Sequence, residues 1–308
     1  MQNLGIVIVN YKTKELLRDC LRSIYDSECN LTFNVCVVDN ASRDDSMEMV
    51  RAMFPQVTVI EQSINQGYAF ANNLGLRHFG FQRNHSAGIT TPEFVLLLNP
   101  DTLLPPNALA DMISFMRQHP TCGAAGPKLV RADGSLDKAC RRSFPTPEVS
   151  FWRLTGLSSL FPHHPRFGRY NLTYIDEDET IEVDSVVGAF MMMRREALAE
   201  SGLLDDTFFM YGEDLDLAYR IKAAGWQIWY NADVTVLHYK GASSKQRSTQ
   251  SIINFYDAMR IFHEKHYANT LPRFLNWMIE AGIYTLCRVN LVRNAFRARE
   301  RKGVASAV

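Results

Sequence analysis

The sequence predicts an α/β fold: a mostly parallel central sheet flanked by helices, with a helical extension at the C-terminal end. Short apolar runs alternate with amphipathic helical patterns through the N-terminal third, the signature of parallel βαβ units. The run Phe94-Val95-Leu96-Leu97-Leu98 is apolar without alternation, as a strand covered on both faces must be. After Ser248 the strand-like runs cease, and the chain reads as helix in two blocks divided at Pro272. The expected division is a sheet domain over residues 1–248 and a helical extension over 249–308.

The elements follow in order. Leu4 to Asn10 is a buried strand, and Thr13 caps a helix to about Ser27 with Leu16, Leu17, Cys20, Leu21 and Ile24 at helical spacing. A second strand, Phe33 to Val38, ends at Asp39-Asn40-Ala41-Ser42; a helix from about Asp44 to Met53 and a short strand, Val57 to Ile60, come next. Asn65-Gln66-Gly67-Tyr68 opens a third helix whose small residues, Ala69, Ala71 and Gly75, let backbone or ligand approach closely. The central strand stops at Asn99-Pro100-Asp101, because Pro100 cannot donate to the ladder. A helix from Asn107 to His119 and a strand from Gly123 to Val130 precede an irregular stretch, Arg131 to Asp178, read as loops and short helices beside the functional face. The acidic run Asp176 to Glu179 reads as solvated surface. Val186 to Met193 is a strand and Arg195 to Ser201 a short helix; Asp214 starts a helix that ends near Gly225. Two strands, Trp226 to Tyr230 and Val234 to Leu237, follow, the second delivering His238 before the turn Tyr239-Lys240-Gly241.

Composition narrows the function. A chain of 308 residues can bury one large or two small cores. Thirty-three basic residues balance 33 acidic ones, which excludes a nucleic-acid binder working by bulk electrostatics. The six cysteines are scattered without a CxxC pair, as in a reducing, cytoplasmic setting. Met1 to Asn10 has no signal-peptide pattern, and no run of about 18 uncharged apolar residues predicts a membrane span.

Polar clusters stand where strands end or helices begin: Asp39, Asn65 with Gly67, Asn99 with Asp101, Glu213 with Asp214, and His238. In an open α/β sheet such positions share one ligand-binding edge. Several carboxylates and a histidine there point to chemistry. In one reading, Asp101 and His238 hold a divalent cation, Mg²⁺ or Mn²⁺, on the diphosphate of a nucleotide ligand; oxygen donors with one imidazole suit these hard ions. The cation would offset charge on a departing diphosphate. Asp39 would accept from a base N–H or a ribose hydroxyl, and Asp214 would take a proton from an incoming hydroxyl. Asp214 also has a plainer reading as a helix cap whose carboxylate the helix N-terminus keeps charged, while Glu213 and Asp216 raise its proton affinity. His238 reads as a ligand or as a histidine at the core's edge. Asn10-Tyr11-Lys12-Thr13 lacks the glycines of a dinucleotide loop, and Asn99 stands where an aspartyl-phosphate enzyme needs its nucleophile.

Val7-Ile8-Val9-Asn10-Tyr11, Val37 to Ser42, Asn65 to Asn73, Leu97 to Asp101, Gly188-Ala189-Phe190, Gly212 to Leu217 and Val236-Leu237-His238 occur in the order of a known family. The chain resembles the inverting GT-A glycosyltransferases of family two, and among them the bacterial rhamnosyltransferases of O-antigen and cell-wall polysaccharide assembly. The resemblance implies a GT-A, Rossmann-like sheet. It implies that Asp39 reads the nucleobase, that Val9, Asn10 and Tyr11 line the nucleotide pocket, and that Asn65 and Gly67 lie beside the donor. Asn99-Pro100-Asp101 takes the family's DxD position, with Asp101 the metal ligand, His238 its partner, and one charge fewer because Asn99 replaces the first acid. Asp214 would be the catalytic base and Glu213 its supporting neighbour, in a single displacement with an oxocarbenium-like transition state. The implied donor is a nucleotide-sugar, dTDP-rhamnose by resemblance, with UDP- or GDP-sugars and a non-catalytic nucleotide-sugar binding module as alternatives. The implied acceptor is a lipid-linked saccharide. From Arg273 to Lys302 seven Arg or Lys face two Glu among bulky apolar residues. This stretch would lie peripherally on the cytoplasmic face of an anionic inner membrane, or pack on the sheet domain or on another subunit of a homo-oligomer.

Overall fold

A computed structural model describes residues 3–28, 31–81, 91–239 and 248–296. Lys240 and Gly241 of the expected turn, and the chain beyond Phe296, lie outside the described residues.

The first half of the sheet follows the expected pattern. Strands β1 (Leu4–Asn10), β2 (Phe33–Asp39), β3 (Thr58–Glu61) and β4 (Phe94–Leu98) run parallel in the order β3-β2-β1-β4. Helices α1 (Lys14–Tyr25), α2 (Ser46–Met53) and α3 (Tyr68–His78) link them. Both faces of β4 are covered, and all five of its residues are buried. Gly75 of α3 lies against Val7, so any side chain there would strike β1. Truncating a fully buried leucine such as Leu96 to alanine costs about 2–5 kcal/mol in packing of this kind.

The second half is mixed. It contains β5 (Thr102–Leu103), β6 (Cys122–Val130), β7 (Ile181–Val183), β8 (Phe190–Arg194) and β9 (Gln227–His238). The order continues β4-β8-β6-β9-β5, with β7 also on β9. β8 is antiparallel to β4 and β6, and β5 and β7 are antiparallel to β9. Among the described residues, six of the nine strands therefore share one direction and three oppose it. The other helices are α4 (Ala108–Gln118), α5 (Pro147–Leu154), α6 (Leu157–Leu160), α7 (Arg195–Ser201), α8 (Glu213–Ala223), α9 (Ser248–His266) and α10 (Arg273–Ala295).

Four local readings change. The two expected strands after Gly225 are one, β9, whose pairing with β6 jumps from Asn231 to Thr235, a bulge that resembled a break. The expected strand at Val186 begins only at Phe190, because the backbone before it is spent on other partners: the Gly188 N–H donates to Asp214 and the Phe190 N–H turns back to the Val187 carbonyl. Thr13 flanks α1 without capping it; its hydroxyl donates to Asn10 Oδ1 instead. Asp214 is not an N-cap either, since that position belongs to Gly212 at φ +81°.

Candidate active site

The polar strand ends form one hydrogen-bonded edge. At the β1 and β2 ends, the Asn10 amide donates to Asp39 Oδ1 at 2.9 Å and to Ser42 Oγ at 3.0 Å, and the Ser42 N–H donates to Asp39 Oδ2 at 2.9 Å. Val9 is packed inside and the Asn10 side chain is wholly buried. The Asn10 side chain thus orients Asp39, Val9 lies in the core, and Tyr11 is the partly exposed member of the three. Asn40 ties this loop to the next, donating to the Gly67 carbonyl at 3.1 Å and accepting from Gln62 and Gln66. Asn65 Oδ1 accepts the Gly67 N–H at 3.1 Å. Gly67 has φ +98°, and a Cβ on it would lie 2.5 Å from the Phe209 carbonyl oxygen. Backbone, then, is what Gly67 lets approach. Lys12, Ala41, Arg43 and Tyr211 hold positive φ without being glycine. All four adjoin this edge, and conformations of this sort cost about 1 kcal/mol or more each.

At the β4 end the Tyr68 hydroxyl donates to Asn99 Oδ1 at 2.9 Å, with the Gly188 carbonyl 3.1 Å away. Burial pushes the Tyr68 hydroxyl far up, so it stays a proton donor. Asn99 is thereby engaged by Tyr68, and Asp101 is the carboxylate left at this strand end. β5 decides where Asp101 points: Thr102 pairs with His238 across β9, and the Tyr239 N–H donates to the Asp101 carbonyl at 2.8 Å. That register places His238 Nε2 3.4 Å from Asp101 Oδ1. On the far side of the ring, His238 Nδ1 is 3.0 Å from Oδ2 of Asp137, which is fully buried. Burial opposes charge on His238, but the hydrogen bonds and charges of Asp101 and Asp137 outweigh it and raise the imidazole to about 9.

The implied cation fits this pair. Two ligands of a hexacoordinate Mg²⁺ or Mn²⁺ with bonds of about 2.1 Å sit roughly 3 Å apart, comparable with the 3.4 Å separation. Among the described residues no group of three or more His, Cys, Asp or Glu is placed to hold a metal. The other positions would therefore fall to phosphate and water oxygens, as these ions prefer.

The third part is the start of α8. Asp214 Oδ2 accepts from Arg142 Nη2 at 2.8 Å and from the Gly188 N–H at 3.0 Å, and Oδ1 accepts from the Leu215 N–H at 2.8 Å. Arg142 is buried, yet Asp214 and Tyr170 hold it charged. Glu213 is the opposite case: its Oε2 is buried with no hydrogen-bond partner, and burial followed by the Asp214 charge pushes it up to about 8. Asp216 is held by cations of its own. Burial alone would raise it, but His266, Arg220 and Lys265 bind both its oxygens and lower it to about 2, clamping α9 onto α8.

Glu213 makes stability depend on pH. It favours the folded state while protonated, so its contribution is complete below about pH 4.5 and is lost as pH rises through about 8. The melting temperature of the wild type is expected to fall across this window more steeply than that of Glu213→Gln, followed by calorimetry in matched buffers. Parallel curves would show that Glu213 does not titrate as a buried group.

Sequence reasoning missed Asp137 and Arg142. Both lie in the irregular stretch after β6, where no periodicity marks them. The only signal was chemical: an Asp and an Arg within a non-repeating segment beside the functional face.

Comparison with known proteins gives this edge a family. Residues 2–252 match the model described as glycosyltransferase like family 2. The chain is 24% identical over 299 residues to the N-acetylglucosaminyl-diphospho-decaprenol L-rhamnosyltransferase of Mycobacterium tuberculosis, covering 97% of this chain and 96% of that protein. It is 24% identical over 219 residues to the rhamnosyltransferase WbbL of Escherichia coli, covering 66% and 77%. Among solved structures, the mannosyltransferase PcManGT of Pyrobaculum calidifontis, in complex with GDP-Man and Mn²⁺, superposes with a TM-score of 0.55 at 18% identity, covering 95% of this chain and 71% of that one. The chain belongs to glycosyltransferase family 2, and is an inverting glycosyltransferase with a GT-A fold.

Proposed function

We propose that the chain transfers L-rhamnose from dTDP-rhamnose to a hydroxyl of a lipid-linked saccharide, at the cytoplasmic face of the inner membrane. The observation that carries the donor half is the Asp101–His238 pair on the same strand-end edge as Asp39. The sugar and the acceptor are supported by the near full-length similarity to an L-rhamnosyltransferase named for a decaprenol-linked acceptor.

In this reading Asp39, oriented by Asn10 and Ser42, accepts from the base, with Asn65 and Gly67 alongside the nucleotide. Asp101 and His238 would hold Mg²⁺ or Mn²⁺, which when bound would neutralise charge building on the leaving diphosphate. Tyr68 keeps Asn99 turned aside. Arg142 and the Gly188 N–H hold Asp214, which takes the acceptor proton. A free alcohol is far too weak an acid to give its proton to a carboxylate. The attacking hydroxyl becomes strongly acidic as its bond to an oxocarbenium-like carbon forms, so late transfer to such a base is feasible. Glu213, protonated at neutral pH, adds no second charge beside Asp214.

Thermal stabilisation by nucleotide diphosphates tests this directly, because a bound ligand raises apparent stability by mass action, about 2.7 kcal/mol at a hundred times Kd. dTDP and dTDP-rhamnose with Mn²⁺ are expected to give the largest shifts, and Asp101→Ala to remove the metal dependence. A larger shift with UDP or GDP would overturn the sugar assignment, and no shift with any nucleotide would overturn the donor site.

A further inference from the structure

Helix α10 turns a row of large apolar side chains to solvent. Phe274, Trp277, Met278, Tyr284, Val292 and Phe296, the last just past its end, are each more than half exposed, Phe296 to 86%. At 100° per residue they fall within a sector roughly 120° wide, along a helix about 35 Å long. The other side of α10 is already used: Ile279, Ile283 and Leu286 pack with Ile252 and Tyr256 of α9. The bare row is thus a second apolar face, left uncovered among the described residues, and a contiguous face of this kind marks an interaction site.

Its charges say what covers it. Arg288 lies within the row, its guanidinium 4.9 Å from the Tyr284 ring centre, and Arg273 and Arg293 flank it; Glu280 is the sole carboxylate of the helix. The sequence that follows adds Arg297, Arg299, Arg301 and Lys302 against Glu300. A two-fold pairing of this face with itself would press basic surfaces together. No helix among the described residues is long and apolar enough to cross a membrane. We infer that α10 lies flat on an anionic lipid bilayer, with its exposed apolar row in the interface and its arginines on lipid phosphates. Tryptophan and tyrosine suit that boundary, where one end of the ring is apolar and the other wet. α9, clamped to α8 through Asp216, then connects the docked helix to the element carrying Asp214. The purpose of docking rests on the proposed lipid-linked acceptor; the binding itself does not.

The full chain is expected to co-sediment with vesicles of equal phosphatidylcholine and phosphatidylglycerol, and about tenfold or more weakly with pure phosphatidylcholine. Phe274→Ser with Trp277→Ser, and separately Arg273→Gln with Arg288→Gln and Arg293→Gln, are each expected to weaken binding to the anionic vesicles about tenfold or more. Nucleotide-induced thermal shifts, read on the same samples, report folding and the donor site independently. The inference is overturned if the wild type ignores anionic vesicles, if these variants bind as tightly as it does, or if light scattering shows a dimer that the serine variant dissociates.

Discussion

Asp214→Asn is expected to lower the rate of glycosyl transfer by about 10²–10⁴-fold, the usual contribution of a positioned general base, with nucleotide binding retained. The amide cannot take the acceptor proton, yet it occupies the same volume and can still accept from the Gly188 N–H through its oxygen. The substitution also removes the charge facing buried Arg142. Some loss of melting temperature is therefore expected, and uncompensated buried charge is costly. Stability and catalysis separate by measurement: Asp214→Asn should still show the thermal shift with dTDP and Mn²⁺, because Asp39, Asp101 and His238 are untouched. A variant with wild-type turnover would end the assignment of Asp214 as the base. A variant that lost turnover and nucleotide binding together would make Asp214 a structural counter-ion of Arg142.

The second large effect is expected at Asp137. Its carboxylate holds the Nδ1 side of His238, leaving Nε2 towards Asp101. Carboxylates behind ligating histidines set ring orientation, and removing them typically costs 10–100-fold in metal affinity. Asp137→Ala is expected to weaken Mn²⁺ binding by about that factor, read as free Mn²⁺ by electron paramagnetic resonance in the presence of dTDP. Asp137 also accepts the Ala139 N–H at the start of a short turn. Asp137→Asn is the informative companion, because its amide oxygen can still accept from His238 Nδ1, while the separate bond from the Ala139 N–H to the other carboxylate oxygen is given up. Asn is expected to recover most of the affinity that Ala loses. Equal affinity in all three proteins would show that His238 is not held as a ligand by Asp137.

These residues also mark how far the sequence is legible. The parallel half of the sheet is written in local patterns: the unbroken apolar run of β4, the helical spacing of α1 and the strand–helix alternation up to α3 are properties of neighbouring residues. Positions at strand ends are legible for the same reason, so Asp39, Asp101 and the Glu213–Asp214 pair stand out in the amino-acid sequence itself. β5 was not legible. Two residues cannot show a period, and Thr102–Leu103 forms a strand only because β9 offers it an edge. The bulge in β9 hid that strand's continuity in the same way.

By itself the sequence determined the family, the strand–helix order of the parallel half and which carboxylates stand at strand ends and helix starts, because each is encoded by residues close together in the chain. Tertiary structure alone decided their company. It set Asp101 against His238 through the β5–β9 register, brought Asp137 and Arg142 in from an irregular segment, turned Asn99 to Tyr68, and neutralised Asp216 with the cations of α8 and α9. It also left Glu213 dry and unpartnered beside Asp214. Ionisation and orientation depend on burial and on partners far away in sequence, and neither is fixed until the chain has closed around them.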